Sequence, residues 1–222
     1  MASAGNDARV RGILAALKRK GTKRNRDGMA RYGIVAKKVF GVSVGELRAM
    51  AKPYRNDTAL AHALWKTGWY EARMLAAFVA DPKTVTSADM DRWARDFENW
   101  AITDTMCFHL FDRSPHAWAK VATWSRAKGE FVKRAAFALL ASMALHHKKA
   151  PDAPFVKALA LVQRAAKDER NFVKKGVSWA LRGIGHRKGA KAAALKLSRA
   201  LAASAHPTER WIGKDALRDL TR

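Results

Sequence analysis

Two stretches of this chain are alike, FVKRAAFALL at residues 131–140 and FVKKGVSWAL at residues 172–181. Both begin with phenylalanine, valine and a basic pair, and both continue with small and apolar residues at helical spacing. Three other segments also open with an aromatic residue: WYEARMLAAF from Trp69, WAITDTMCFHLF from Trp100 and WIGKDALRDL from Trp211. Along the chain, the five opening aromatic residues are 31, 31, 41 and 39 residues apart, which indicates a repeated structural unit.

The last two intervals are close to the ~40–47-residue period of HEAT and armadillo repeats, in which each unit is a helix pair that stacks on its neighbours. Strand patterns are nearly absent, whereas Ala, Leu, Lys and Arg recur at helical spacing. We therefore predict an all-α fold, a curved α-solenoid of HEAT-like repeats with a basic concave face, as a single domain over residues 1–222. The alternative is that alanine-rich helices resemble one another without forming a repeat.

Helix boundaries are marked by proline and by capping residues. Ser43 with Glu46, and Thr86 with Asp89, have the spacing of a capping box, so each pair predicts a helix start. All six prolines fall between apolar segments, at Pro53, Pro82, Pro115, Pro151, Pro154 and Pro207.

The charge of the chain points to a polyanionic partner. Lys and Arg total 43 against 19 Asp and Glu, which gives a formal net charge of +24. Because 49% of the residues are hydrophobic, the chain can bury a core, and the charge must lie on a folded surface.

The cysteine and histidine content limits other classes of site. Cys107 is the only cysteine, which excludes an intramolecular disulfide and a cysteine-based zinc site and favours a buried thiol in a reducing compartment. His146, His147 and His186 lie beside basic residues, with no carboxylate close in sequence, so we expect no metal and no cofactor. No apolar stretch predicts an export signal or a membrane span, and we expect a soluble cytoplasmic protein.

Basic residues recur at equivalent places of the aromatic-led helices, which predicts a stripe that contacts DNA phosphates. The alternative is a set of solvated helix faces. The predicted stripe consists of Arg73, Lys133, Arg134, Lys174, Lys175, Arg182 and Lys214.

One carboxylate interrupts this cationic pattern. Trp100 and Asp104 are four residues apart and share one helix face, although an acid would repel a phosphate backbone. Trp179 and Arg182 share a face of a later helix, where they would offer a stacking surface beside a guanidinium. The alternatives are that both tryptophans belong to the core and that Asp104 pairs with a neighbouring arginine.

These residues resemble those of the DNA alkylation repair family of AlkD-like alkylpurine DNA glycosylases. The family pairs a tryptophan with an aspartate four residues later, followed by an arginine in the next repeat and then a second tryptophan; Trp100, Asp104, Arg134 and Trp179 occupy those places. The resemblance covers nearly the whole chain, on the segments MARYG at 29–33, GVSVGELRAMAK at 41–52, NWAITD at 99–104, FVKRAAF at 131–137 and NFVKKGVSWALR at 171–182.

The resemblance implies a bacterial, nucleoid-associated enzyme that excises positively charged N3- and N7-alkylated purines from double-stranded DNA. We expect a monomer, because a groove that wraps duplex DNA needs no partner subunit. It implies that Asp104 stabilises an oxocarbenium-like transition state and orients water, between Trp100 and Trp179, while Arg134 holds phosphate. Tyr32 is a further DNA contact by the same resemblance. Family members of this kind are thought to act without extruding the base.

Asn99 departs from the family pattern, because the type member has a tryptophan there, and its presence predicts the loss of one aromatic wall. Two other functions therefore stay open. One is a non-catalytic HEAT-like protein that binds branched or damaged DNA, as some relatives do. The other is a protein-interaction scaffold, against which the charge of +24 argues.

Overall fold

The computed structural model of the chain describes residues 2–222, with side chains from residue 5 onward. All regular structure in this range is helical. The described chain divides into two compact units, one ending at Pro115 and the other spanning His116–Arg222. The single domain over residues 1–222, the curvature and the concave face stay predictions.

The first unit has seven α-helices, and 3₁₀ turns follow the third and the seventh. Its helices are α1 (Ala2–Lys20), α2 (Lys23–Arg31), α3 (Val44–Ala51), α4 (Thr58–Lys66), α5 (Tyr70–Val79), α6 (Ser87–Arg95) and α7 (Trp100–His109), with 3₁₀ turns at Lys52–Tyr54 and Phe111–Arg113. Helix α5 packs against α3, α4 and α7, and is buried along most of its length.

Aromatic rings fill the space between the helices of this unit. The Trp93 ring is fully buried, with its centroid 5.5 Å from that of Trp65 and 6.2 Å from that of Phe111. Both capping predictions are confirmed. The Ser43 hydroxyl accepts a hydrogen bond from the Glu46 amide at the start of α3, and Thr86 and Asp89 form a complete capping box at α6.

The second unit consists of three helix pairs in two layers. Its helices are α8 (Ala117–Trp124), α9 (Glu130–His146), α10 (Ala153–Ala165), α11 (Asn171–Gly185), α12 (Lys191–Ala202) and α13 (Pro207–Leu220). Helices α9, α11 and α13 pack side by side, while α8, α10 and α12 each cover their partner in the pair. This arrangement confirms the HEAT-like repeat that the aromatic spacing predicts.

Small residues allow the repeated helices to approach closely. A Cβ on Gly183 would lie 3.4 Å from the Ala141 backbone, and one on Gly176 would lie 3.4 Å from the Arg134 side chain. These two glycines are seven residues apart, so they lie on one face of α11 against α9. Helix α9 is buried on nearly all sides, which explains its run of Ala, Leu and Phe.

Candidate nucleic-acid interface

The first candidate region is the start of α7. Trp100 opens this helix, and its indole Nε1 donates a hydrogen bond to the Tyr32 carbonyl at 2.8 Å. Asp104 follows one helical turn later on the same face. Both side chains are half-buried, so neither is sealed in the core of the unit.

Asn99, the departure from the family pattern, has a structural role. Its side-chain oxygen accepts a hydrogen bond from the Ile102 amide at 3.0 Å and caps α7, while its Nδ2 donates to the Val35 carbonyl at 3.2 Å. The side chain is 1% exposed. Asparagine at this position therefore orients the helix that carries Trp100 and Asp104, and it binds the loop that precedes α3.

That loop, residues 32–43, is held by the first turns of α5 and α7. The Glu71 carboxylate is fully buried and accepts hydrogen bonds from the amides of Phe40, Gly41 and Val42 at 2.6–3.2 Å. The Phe40 ring stacks on Trp69 with centroids 3.8 Å apart. Sequence reasoning missed Glu71, because nothing in the local pattern distinguishes it from a surface glutamate at the start of a helix.

Tyr32 lies at the beginning of this loop, and its side chain is 71% exposed. It lines a pocket of about 570 Å³ together with basic residues of α2 and apolar residues near the start of α3. An exposed aromatic ring beside arginines fits a DNA contact. The lining includes Arg24, Met29, Arg31, Val42, Val44 and Tyr70.

Arg73, the stripe residue on α5, is mostly engaged within the first unit. Its guanidinium lies 3.5 Å from Glu98 and 3.8 Å from Asp96, and it stacks over the Trp65 ring at 5.2 Å. The two carboxylates and the ring together hold the guanidinium in one position.

Lys133 and Arg134, near the start of α9, differ in their surroundings. The Lys133 ammonium is 2.9 Å from Asp168, which Arg170 also binds through two hydrogen bonds. These hydrogen bonds from Arg170 and Lys133 hold the pKa of Asp168 well below its usual range. Arg134 is 7% exposed and donates a hydrogen bond to the Phe172 carbonyl at 2.8 Å, so it joins α9 to α11. Its phosphate contact stays a prediction.

The remaining lysines of the stripe are more accessible. Lys175 on α11 and Lys214 on α13 are exposed, and Lys174 is half-buried, with its ammonium 5.2 Å from the centroid of the Trp211 ring. Phosphate contact needs an accessible cation, so Lys175 and Lys214 are the best placed of the predicted set.

Trp179 and Arg182 line one pocket of about 450 Å³ on α11. Trp179 is half-buried, which differs from a fully buried core aromatic. The Arg182 guanidinium lies 3.5 Å from Asp215 and 3.7 Å from Asp219, so two carboxylates of α13 hold it at the edge of this pocket. Both residues therefore lie beside one pocket of the second unit, and their contact with DNA stays a prediction.

The predicted site residues fall in both units. Trp100 and Asp104 belong to the first, and Arg134 and Trp179 to the second. Their assembly into one site, with the acid between two indole rings, stays a prediction.

The described residues offer little for a metal site or a reactive thiol. Among residues 2–222, no cluster of three or more His, Cys, Asp or Glu side chains is arranged to hold a metal ion. His186 is exposed and its Nε2 lies 2.7 Å from Asp219, whereas Cys107 is buried as the sequence predicts. None of the helices described is both long and apolar enough to span a bilayer.

Comparison with known proteins identifies relatives of the chain. No curated protein sequence matches it. A solved structure from a family described as related to the HEAT-like repeat DNA glycosylases, with affinity for branched DNA structures, is similar with a TM-score of 0.79 at 19% sequence identity. The similarity covers 94% of each chain and concerns the fold. The family model of the DNA alkylation repair enzyme matches residues 13–220. The chain therefore belongs to the DNA alkylation repair enzyme family.

Proposed function

We propose that the protein is a monofunctional DNA glycosylase that excises positively charged N3- and N7-alkylated purines from duplex DNA. The observation that carries the proposal is the half-buried Trp100–Asp104 pair on one face of α7, in a chain with a net charge of +24. A carboxylate repels phosphate, so an acid at this place in a cationic protein of a DNA repair family supports a role at a cationic centre.

The chemistry follows from the leaving group. An alkylated purine of this kind already carries a positive charge, so it departs when the bond from its ring nitrogen to C1′ breaks and the bonding electrons neutralise the ring. Positive charge then builds on the deoxyribose, where the Asp104 carboxylate stabilises it. Water adds to C1′ and gives its proton to the carboxylate or to solvent. No general acid is required, because the base leaves as a neutral molecule.

The other predicted residues bind and orient the substrate. Trp100 and Trp179 flank the sugar and the backbone of the damaged nucleotide, and Tyr32 adds a contact from the loop before α3. The exposed Lys175 and Lys214 neutralise phosphates, together with Lys174 and the more constrained Arg73, Lys133, Arg134 and Arg182. Asn99 supports the mechanism indirectly, since it caps the helix that carries the acid.

A second candidate function is recognition of branched or damaged DNA without catalysis. The affinity of the related solved structure's family for branched DNA favours it. In this case the cationic surface would bind a junction by shape and charge, and Asp104 would have no chemical role.

One experiment separates the two functions. The protein is incubated with methylated duplex DNA, and released 7-methylguanine is measured beside binding to a four-way junction and to plain duplex of equal length. Base release above the rate without protein supports the glycosylase. Tight junction binding with no base release from either DNA selects the second function.

A further inference from the structure

A pocket in the second unit opens between the C-terminal halves of α9 and α11. Its volume of about 450 Å³ falls in the range of roughly 300–1,000 Å³ that small-molecule sites occupy. Ala141, Ala144 and Gly183 line it, and none of these three has a large side chain that could fill the space. Gly183 also lies close to Ala141, where α9 and α11 meet. The pocket is therefore built by the small residues that also join the two helices.

The walls of this pocket suit a planar ring. Trp179 is half-buried and lines it, so part of the indole faces the open volume. Leu145 also lines it and is 50% exposed, an unusual position for a large apolar side chain. An aromatic ring and an apolar side chain that line one pocket form the kind of environment in which an unstacked nucleobase is bound.

The rim of the pocket is cationic. Lys148 and Lys188 line it and are exposed. The Arg182 Nε is buried without a hydrogen-bond partner, although it lies 3.5 Å from an Asp215 oxygen. This Nε is enclosed by the protein, so the cations open to a ligand at this pocket are the two lysines.

The two carboxylates at this pocket are already engaged by the protein. Arg187 and the Gly189 amide bind Asp152, at 2.6 and 2.7 Å. His186 lies 2.7 Å from Asp219. Because these acids have cationic or N–H partners, the two rim lysines are left to bind an anion.

We propose that this pocket takes one unstacked nucleotide of a DNA strand, with its base against Trp179 and its phosphate on Lys148 and Lys188. The proposal rests on the DNA binding of the proposed function and does not require base release. It uses the same Trp179 that flanks the damaged nucleotide in the proposed reaction, in DNA that carries an unstacked nucleotide instead of a lesion. Bases of an intact duplex are stacked, whereas a bulged nucleotide is unstacked at little cost. The pocket therefore gives the protein a preference for DNA that offers an extrahelical base.

The test uses two duplexes that differ only in whether a 2-aminopurine nucleotide is paired or bulged. We expect wild-type protein to bind the bulged duplex at least about tenfold more tightly and to change the 2-aminopurine fluorescence on binding. Leu145→Trp closes the rim at an exposed position and abolishes the preference, while affinity for the paired duplex is kept. Ala160→Trp, which adds the same ring at an exposed position of α10, is the matched control and retains the preference.

Two further measurements identify the bound group and distinguish a local effect from misfolding. The Lys148→Ala, Lys188→Ala double variant, at two exposed positions, weakens binding of the bulged duplex more than binding of the paired one, and Lys196→Ala does not. A free deoxynucleoside monophosphate competes only weakly, because it lacks the flanking strand.

Equal affinity of the wild-type protein for both duplexes overturns the proposal, and so does a preference that survives Leu145→Trp. Full competition by the free nucleotide overturns the assignment to a DNA strand. Failure of the pocket leaves duplex binding and base release intact, whereas failure of the proposed function removes one or both of these.

Discussion

Glu71 fixes the loop that joins α2 to α3, because its buried carboxylate accepts hydrogen bonds from three successive amides. Glu71→Gln replaces one acceptor oxygen with an NH₂ group that faces N–H donors. We expect it to lower the free energy of unfolding by about 2–3 kcal/mol, as for loss of charged hydrogen bonds in a buried site. Urea unfolding monitored by circular dichroism measures the change.

Glu98→Gln is the control for that substitution, because Glu98 is half-buried and its ion pair with Arg73 is long at 3.5 Å. A partly exposed pair of this kind contributes less than about 1 kcal/mol. Equal destabilisation by the two variants contradicts the role that we assign to Glu71.

Residue roles differ in how far the sequence predicts them. The caps at Ser43 and Thr86 are local interactions, so each can be identified from the acidic residue three positions later in the sequence. Glu71 binds amides about 30 residues away in the chain, and no periodicity reports such a contact. The cap formed by Asn99 is also not predicted by the family pattern, because that pattern has an aromatic ring at this position and a ring cannot accept the hydrogen bond that the Asn99 amide oxygen accepts.

At the scale of the element, Asp168 links α9 to the segment before α11 through Lys133 and Arg170. Its pKa is held well below the value of about 4 that it has in an unfolded chain. The unfolded state therefore binds the proton first, so the stabilisation is complete above about pH 4 and is lost as the pH falls further. We expect Asp168→Asn to lower the free energy of unfolding by about 2 kcal/mol at pH 7 and by less at pH 3.

Denaturant unfolding of both proteins at pH 7, 5 and 3 tests this linkage. Asp27→Asn is the control, because its pair with Lys23 is exposed and contributes little. A difference between wild type and Asp168→Asn that stays constant from pH 7 to pH 3 contradicts the linkage.

The helices can be predicted from the sequence, whereas the packing around each helix is harder to predict. Four of the aromatic residues that open the repeats lie in the first two turns of α7, α9, α11 and α13, and Trp69 is at the N-cap position of α5. The sequence shows these positions because a repeated fold repeats its sequence. Periodicity does not tell how closely two helices approach. Arg134 illustrates this limit, because a basic residue beside Lys133 suggests an exposed pair, whereas the close contact of α9 with Gly176 of α11 leaves Arg134 buried.

At the scale of the whole molecule, the charge of +24 predicts DNA affinity that falls steeply with salt. We expect the logarithm of the association constant for duplex DNA to fall with the logarithm of salt concentration with a slope of about −5 or steeper. Lys175→Ala and Lys214→Ala each reduce the steepness by about 1, since each removes a phosphate contact.

Fluorescence anisotropy between 50 and 300 mM NaCl measures these slopes. Lys196→Ala, an exposed substitution on α12, in the layer of helices that covers α9, α11 and α13, leaves the slope unchanged. A wild-type slope near zero contradicts an electrostatic DNA surface and favours the protein-interaction scaffold.

The net charge predicts a polyanionic partner, and the repeat spacing predicts the HEAT-like fold. Both can be predicted because each is a property of the whole chain and does not depend on the position of any one residue. The chemistry cannot be predicted in the same way, because it depends on the positions of a few side chains to within the length of a bond. Trp100 and Asp104 could be paired from the sequence because one helix carries both. No such local rule relates Asp104 to Trp179.

The most direct test of the account is the single-turnover rate of 7-methylguanine release by wild type and Asp104→Asn, with protein in excess over its dissociation constant. Asp81→Asn, in a turn of the first unit, is the control for the equal change in net charge. We predict that Asp104→Asn releases the base about 10²–10³-fold more slowly while binding the methylated duplex at least as tightly, and that Asp81→Asn keeps the full rate. Release by Asp104→Asn within twofold of the wild-type rate would contradict a catalytic carboxylate at this position.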